Sequence, residues 1–424
     1  MKKLIPKFIF QIYHYSLASI GAVIYGFPSK KMIVVGVTGT NGKSTVVHLI
    51  TEILEFTPQL RGKVASLSSI RFKVGDKEEK NMLKMTMPGR LKLQKFLRRA
   101  VNAGCKYMVL EVTSEGIKQF RHKFIDFDGA VFTNLTKEHI EAHKGFENYK
   151  KAKGKLFEAL ENSPKKDKFA VLNSDDENSV YFDKLFSGKK YFYGINLPVG
   201  EAENQKTEIT PDKIGLKPDN LLGEFNLYNA LAAYCAGIAL GIEKNKVLET
   251  LKIAKGIPGR LELVINEPFK VFVDYAHTPD GLENIYKTLG RNLICVLGST
   301  GGGRDKWKRP EMGKIAANYC KNIILTNEDP YDENPLFIIE DIEKGFSQIS
   351  AKDGFASGGQ FSISKILDRR EAINKALFLA QKDDTVIITG KGCEPWMCVE
   401  DGKKISWDDR EIVREEYRKL MTQN

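Results

Sequence analysis

The stretch Gly36-Val-Thr-Gly-Thr-Asn-Gly-Lys-Ser-Thr45 joins a β-branched run, Met32 to Val37, to a segment of helical character that begins at Lys43. A strand that turns through glycines into a helix N-terminus makes a cradle for phosphate. The glycines let backbone N–H groups face inward, and the helix end adds a favourable dipole. Gly39, Thr40, Asn41 and Gly42 form the turn. Lys43 reaches toward the β- and γ-phosphates, and the Ser44 hydroxyl, followed by Thr45, is suited to ligate Mg²⁺. The strict GxxxxGK[ST] spacing would put glycine at position 37, where the chain has Val37; its glycines stand at 36 and 39. A chance glycine-rich turn would lack the strand before it and the helix after it, so a nucleotide-binding loop is predicted.

Outward from the loop, apolar runs at Tyr107–Glu111 and Gly129–Phe132 alternate with helical periodicity, which predicts a parallel sheet with helices on its faces. Polar segments around Lys189 to Leu222 read as a small added antiparallel region, and a helix is predicted over Asn226–Leu240. Gly256-Ile-Pro-Gly259 punctuates the chain. Beyond it, strands are predicted at Val271–Val273, Leu293–Leu297, Asn322–Leu325 and Thr385–Ile388, with helices over 279–289, 310–320, 335–348, 369–382 and 409–420. A chain of 424 residues is long enough for two or three domains. The expected fold class is α/β: a central nucleotide-binding domain over 31–258 with a mostly parallel sheet, and a Rossmann-like doubly wound domain over 259–424. Residues 1–30 form an apolar, basic helical segment.

The six cysteines are scattered without metal-ligand spacing, as in a reducing cytoplasm. A net charge of +11 suits polyanionic partners, but basic and acidic residues interleave along most of the chain, as on a solvated surface. Aromatic and basic residues do not alternate in the manner of an RNA-binding face, so no nucleic-acid partner is expected. The first thirty-one residues differ. Lys2, Lys3, Lys7, Lys30 and Lys31 have no acid to balance them, and Leu4 to Phe27 between them is apolar. Lys7, Gln11 and His14 interrupt that run, which makes it a poor spanning helix. A nucleotide-binding strand follows at once, against a signal peptide. Two readings stay open: a helix packed on its own protein, or residues 1–28 lying in an anionic membrane surface. A cytoplasmic monomer is expected, with peripheral membrane contact as its variant.

Thr38-Gly-Thr-Asn-Gly-Lys-Ser44 resembles the phosphate loop of the Mur ligase superfamily, which also includes folylpolyglutamate synthases. Further segments follow in that family's order: Leu110-Glu-Val-Thr-Ser114, Phe132-Thr-Asn-Leu135 with Glu138-His139, Ala152-Lys153, Gly223-Glu-Phe-Asn-Leu-Tyr-Asn229 and Gly259-Arg-Leu-Glu262. Asp274-Tyr-Ala-His-Thr-Pro279, Arg304-Asp-Lys-Trp-Lys-Arg-Pro310 and Gly390-Lys-Gly-Cys-Glu394 complete the series. These last three resemble the branch that adds the third amino acid to UDP-N-acetylmuramoyl-L-alanyl-D-glutamate. The resemblance implies an ATP-dependent ligase that turns a carboxylate into an acyl phosphate, which an amine then attacks, with two Mg²⁺ ions bridging phosphates and carboxylate.

Residue by residue, it implies that Lys43, Glu111, His139 and Lys153 are catalytic, the last three with Ser44 as metal partners and Lys153 carrying a carbamate. Glu111 also suits a hard cation on its own account, standing at the end of a predicted strand. Asn134, Asn226, Asn229, Asp274 and His277 are implied on the nucleotide, the last two acting by closure of the C-terminal domain. Thr86, Ser114, Gln119 and Arg121 would hold the muramoyl-dipeptide, whose carboxylates suit a guanidinium and hydroxyls. Arg304, Asp329, Tyr331, Gly390 and Glu394 would line the amino-acid pocket.

Two departures stand out. Asn327-Glu-Asp-Pro-Tyr331 replaces the Asp-Asn-Pro-Arg of the diaminopimelate-adding enzymes. Tyr331 cannot form the bidentate pair that an arginine makes with a distal carboxylate, and Asp329 would suit a distal ammonium. Cys393 also replaces the family's histidine. The family's N-terminal UDP-holding domain spans roughly a hundred residues, an ordinary small-domain size, whereas about thirty precede the first strand here. The donor is then held differently or lacks UDP, and a lipid-linked donor would account for the basic apolar start. Rival readings are a folylpolyglutamate-like ligase, a non-catalytic nucleotide- or muropeptide-binding subunit, and a simple phosphotransferase.

Overall fold

The computed structural model describes residues 7–83, 85–196, 207–218, 220–348 and 361–423. Lys2 and Lys3, singled out above, lie outside them. The chain divides into two compact units: Met1–Lys137 with His143–Lys255, and Glu138–Ala142 with Gly256–Asn424.

In the first unit, nine strands among the described residues form one sheet. They are β1 (Ile33–Thr38), β2 (Val64–Leu67), β3 (Arg71–Val74), β4 (Lys77–Lys80), β5 (Tyr107–Glu111), β6 (Gly129–Phe132), β7 (Phe169–Asn173), β8 (Lys189–Tyr193) and β9 (Thr207–Ile209), in the order β4-β3-β2-β5-β1-β6-β7-β8-β9. β1 lies at the centre because its run of valines can be buried on both faces. Val34 joins the core with Leu93 and Leu97 of the helix Arg90–Asn102 and with Leu156 and Phe157 of the helix Phe146–Glu161. Val35 and Val37 face the other core, with Leu49 and Ile50 of the helix Lys43–Phe56 and Leu231 of the helix Glu224–Ala239. Strand alternation thus feeds two helical layers from one sequence run. β1 pairs in parallel with β5 and β6, which sets Val37 beside Glu111 and Thr38 beside Phe132.

The antiparallel addition expected around Lys189 to Leu222 is corrected: β8 pairs in parallel with β7, and β9 in parallel with β8. Polar Lys189 and Lys190 open β8, but Tyr191, Tyr193 and Ile209 are buried in the same core as the helix Glu224–Ala239. That apolar layer extends the parallel sheet. The antiparallel strands occur at the opposite edge, where β3 and β4 fold back on β2. β4 is exposed and charged throughout, a composition that suits an edge.

In the second unit the described strands are β10 (Glu262–Ile265), β11 (Lys270–Val273), β12 (Leu293–Leu297), β13 (Cys320–Leu325), β14 (Ser362–Lys365) and β15 (Thr385–Ile388), in the order β10-β11-β15-β12-β13-β14. All pairings are parallel except that of β10 with β11. Helices Pro279–Leu289, Lys308–Tyr319, Pro335–Glu343, Arg369–Leu379 and Asp409–Gln423 alternate with the strands. The α/β expectation holds for both units. A small hairpin, β16 (Trp396–Cys398) with β17 (Lys404–Ser406), was not foreseen. Among the described residues, no helix is long and apolar enough to cross a membrane, and the six cysteines are free.

His122 is a buried liability of the first unit. Its side chain is 2 % exposed and neither ring nitrogen has a hydrogen-bond partner. Burial, then Lys123 and Lys155, lowers its pKa from 6.5 to about 3. Between those values the unfolded chain binds a proton that the folded one refuses, so stability falls as pH falls. The contribution is about 1.4 kcal/mol per pH unit within that window. His122→Leu is expected to flatten the acid limb of denaturant-unfolding curves followed by circular dichroism by that slope.

Candidate active site

The phosphate loop runs from the end of β1 to Gly42, which precedes the helix Lys43–Phe56 at φ 80°. Gly39 has φ 149°, and a Cβ there would lie 1.9 Å from Thr133 Oγ1; one on Gly42 would lie 2.2 Å from Asn229 Oδ1. Both positions therefore exclude a side chain. The loop is pinned from the segment after β6. Asn41 N–H donates to Asn134 Oδ1 at 2.9 Å, Thr133 Oγ1 to Asn41 O at 2.7 Å, and Thr136 N–H to Thr40 Oγ1 at 3.0 Å. Asn134 is thus a loop-holding residue whatever else it meets.

Lys43 Nζ donates to Thr40 O at 2.6 Å. Ser44 Oγ donates to Glu111 Oε2 at 2.7 Å and lies 2.7 Å from Ser69 Oγ, while Ser69 N–H donates to the same carboxylate oxygen at 3.0 Å. The register of β1 with β5 causes this: it carries Glu111 to the strand end beside the loop. Two hydroxyls and one carboxylate, all hard oxygen donors, fit Mg²⁺, which takes few protein ligands and completes its shell with phosphate and water. No group of three or more His, Cys, Asp or Glu side chains that could hold a metal occurs among the described residues. Ser69, in the turn before β3, has no sequence signature and was missed.

Lys153, on the helix Phe146–Glu161, is 2 % exposed. Its Nζ donates to Gly39 O and stands 4.4 Å over the Tyr149 ring, whose hydroxyl lies 3.2 Å from Thr40 Oγ1. Lys153 therefore comes to the loop with Lys43, Ser44 and Glu111. His139 lies in the segment Glu138–Ala142, which groups with the second unit. There Asp305 accepts from the backbone N–H of Ile140 and Glu141 at 3.0 Å each, and buried Lys308 donates to Glu138 at 3.2 Å. Asn229 donates to Asn226 Oδ1 at 3.1 Å, and Asn226 to Leu222 O at 2.8 Å.

Of the residues read for the donor, Gln119 and Arg121 meet directly: Arg121 Nη2 donates to Gln119 Oε1 at 2.8 Å and Nη1 to Met87 O, next to Thr86. Arg90, which sequence reasoning missed, donates to the same Gln119 oxygen at 3.3 Å and to Gln119 O at 2.8 Å. Burial, and then the neighbouring Arg90, lowers the pKa of Arg121. Two crowded guanidiniums favour an anionic ligand. Ser114 is buried, with Oγ 3.2 Å from His143 Nε2.

In the second unit, Asp329 and Glu394 converge on Lys391, which is fully buried. Lys391 Nζ donates to both Asp329 oxygens at 3.0 Å, to Glu394 Oε2 at 2.6 Å and to Trp396 O at 2.6 Å. The Asp329 charge is thus already matched within the chain. Glu394 is also held by Tyr275 OH at 3.1 Å. Tyr331 packs on Gly302, where a Cβ would lie 2.5 Å from the ring. Gly390 has φ 107° and leaves room for buried Glu328, whose pKa burial and then Asp329 raise. Arg304 is exposed. Asp274 accepts from Leu261 N–H at 2.6 Å and Ala276 N–H at 2.5 Å, a backbone-holding role. Burial, then Lys308, lowers the His277 pKa, so its imidazole is neutral; Nδ1 lies 2.9 Å from Tyr275 O.

Known proteins resemble this chain along most of its length. The Mur ligase middle domain family matches residues 37–237, and the family described as Mur ligase, glutamate ligase domain, matches 259–392. The UDP-N-acetylmuramoyl-L-alanyl-D-glutamate--2,6-diaminopimelate ligase of Bacillus cereus is 37% identical over 417 residues, covering 94% of this chain and 81% of that protein. A solved structure of a ligase with that name aligns with a TM-score of 0.56 at 28% identity, covering 92% of this chain and 79% of the other. E. coli FolC in complex with ADP aligns with a TM-score of 0.66 at 16% identity, covering 96% and 94%, and speaks for the fold alone. Two domain families in order, and a relative more than a third identical along most of its length, carry the conclusion: the chain belongs to the Mur ligase family and is an ATP-dependent acid–amino-acid ligase.

Proposed function

We propose that the chain activates the terminal carboxyl of a muramoyl-dipeptide as an acyl phosphate and couples it to an amino acid, a step of peptidoglycan synthesis. Residues 31–258 serve the nucleotide and donor, and residues 259–424 the amino acid. The observation that carries the reading is the convergence of Ser44, Ser69 and Glu111 beside Lys43 at one helix N-terminus.

In this reading a donor carboxylate oxygen attacks the γ-phosphorus and ADP leaves; an amine then attacks the carbonyl, phosphate leaves, and the amine proton passes to solvent. Lys43 places a fixed positive charge at the transferred group, and the loop N–H groups hold the phosphates. Ser44 and Glu111 would hold Mg²⁺, which neutralises charge during in-line transfer. Lys153, once carbamylated, would serve a second ion. Gln119, Arg121 and Arg90 orient the donor carboxylates, which is positioning rather than covalent chemistry.

The acceptor is proposed to lack a distal carboxylate, as lysine and ornithine do. Tyr331 stands where the resemblance puts the arginine for that group. The test is amine-dependent phosphate release with UDP-muramoyl-dipeptide, screened over lysine, ornithine and diaminopimelate, with Lys153→Ala as control. Release with lysine or ornithine and ten or so times less with diaminopimelate is expected, on the scale of one lost charge-paired contact. Turnover only with glutamate and a pterin would move the chain to the folate branch. Release without any amine would make it a phosphotransferase.

A further inference from the structure

The helix Lys7–Ile24 turns Ala18, Gly21 and Ala22 inward and leaves large apolar side chains such as Ile12, Val23 and Ile24 outward. Ala18 and Ala22 are buried, and a Cβ at Gly21 would lie 3.3 Å from Leu91 of the helix Arg90–Asn102. On this packed side Arg90 meets His14, the Tyr15 ring lies edge-on to Phe120 and Phe124, and Arg98 donates to Tyr25 O at 2.7 Å. The helix is therefore fastened to the first unit.

Ile9, Ile12, Tyr13, Ile20, Val23 and Ile24 fall on the opposite stripe of a 3.6-residue helix, and all are exposed; Val23 and Ile24 are 62% and 64% so. No charged residue occurs from Phe8 to Ser29. A surface helix in water shows the reverse order, apolar toward the core and polar outward. Exposed Ser16 lies within the stripe, which carries no charge, and a large exposed apolar face of this kind marks a binding surface.

Its C-terminal border is basic. Lys30 and Lys31 are exposed just beyond its C-terminal end. Two copies of this face brought together would crowd like charges, whereas an anionic surface would be complementary to them.

We propose that this face lies in the surface of an anionic lipid bilayer. Its aliphatic side chains and Tyr13 sit at the acyl boundary, and Lys30 and Lys31 sit among headgroup phosphates. The helix lies in the plane of the surface and does not span it. This goes beyond the ligase reading and does not depend on it.

The test is co-sedimentation of the full chain with vesicles of phosphatidylcholine, and of phosphatidylcholine mixed with phosphatidylglycerol. Two variants are compared, Ile12→Glu/Ile20→Glu/Val23→Glu and Lys30→Glu/Lys31→Glu, each checked for native circular dichroism. Pelleting with the mixed vesicles, weakened roughly tenfold or more by the triple change, by salt and in pure phosphatidylcholine, is expected. The lysine pair should lose severalfold. A chain that stays in solution with anionic vesicles at low salt overturns the proposal, and so does a triple variant that pellets like the parent. A dimer that the triple change dissolves, without vesicle binding, assigns the face to a second copy.

Discussion

Lys43→Ala lowers amine-dependent ADP release by about two to three orders of magnitude and leaves the fold intact. The expectation follows from where the charge sits. Lys43 opens the helix after Gly42, its Nζ 2.6 Å from Thr40 O, so it stays with the loop that is to receive phosphate. Charge that develops on the transferred group is then met by a cation already in place, with no reorganisation at the moment of reaction. Losing one such contact costs about 3–4 kcal/mol of barrier. Lys43→Arg should not restore the rate, because a planar fork does not occupy the volume of a compact ammonium. Lys151→Ala, on the exposed side of the helix Phe146–Glu161, should change nothing. Steady-state ADP release measures all three. A Lys43→Ala enzyme within tenfold of the parent would remove this residue from the mechanism.

The second large effect concerns stability. Arg369 and Asp409 are both fully buried and form a bidentate pair, Nε to Oδ1 at 2.9 Å and Nη2 to Oδ2 at 2.7 Å. Arg369 also donates to Thr389 O at 2.7 Å, at the end of β15, and Trp407 Nε1 to Asp409 Oδ1 at 2.8 Å. Arg369→Ala leaves a carboxylate in the interior without its cation, which costs about 3–5 kcal/mol. That is a large share of the stability of one domain. The double change Arg369→Met/Asp409→Leu, apolar on both sides, should cost far less. All three tryptophans, Trp307, Trp396 and Trp407, belong to the second unit, so their fluorescence in urea follows it alone. Equal losses from the single and double changes would contradict this account of the pair.

Much of this was legible in the sequence, for identifiable reasons. The strand, loop and helix from Ile33 to Phe56 are contiguous, so local pattern sufficed. Glu111 was legible because an open sheet gathers its ligand residues at strand ends. The parallel β8 and β9 were not, because lysines at the start of β8 conceal tyrosines buried further along it. Ser69 reaches the site only through the fold of β2 and β3, and Arg90 through the packing of its helix; neither carries a motif. Lys391 is one of 65 basic residues, and nothing local says that it draws in Asp329 and Glu394. Side chains that act through tertiary convergence leave little periodic trace.

The most direct measurement places heavy oxygen in the donor carboxyl and follows it through one turnover with ATP and the accepting amino acid. Transfer of one labelled oxygen into the released phosphate is predicted, because the carboxylate must carry the phosphoryl group before the amine displaces it. Released phosphate free of label, with amide formed, would contradict the acyl-phosphate route.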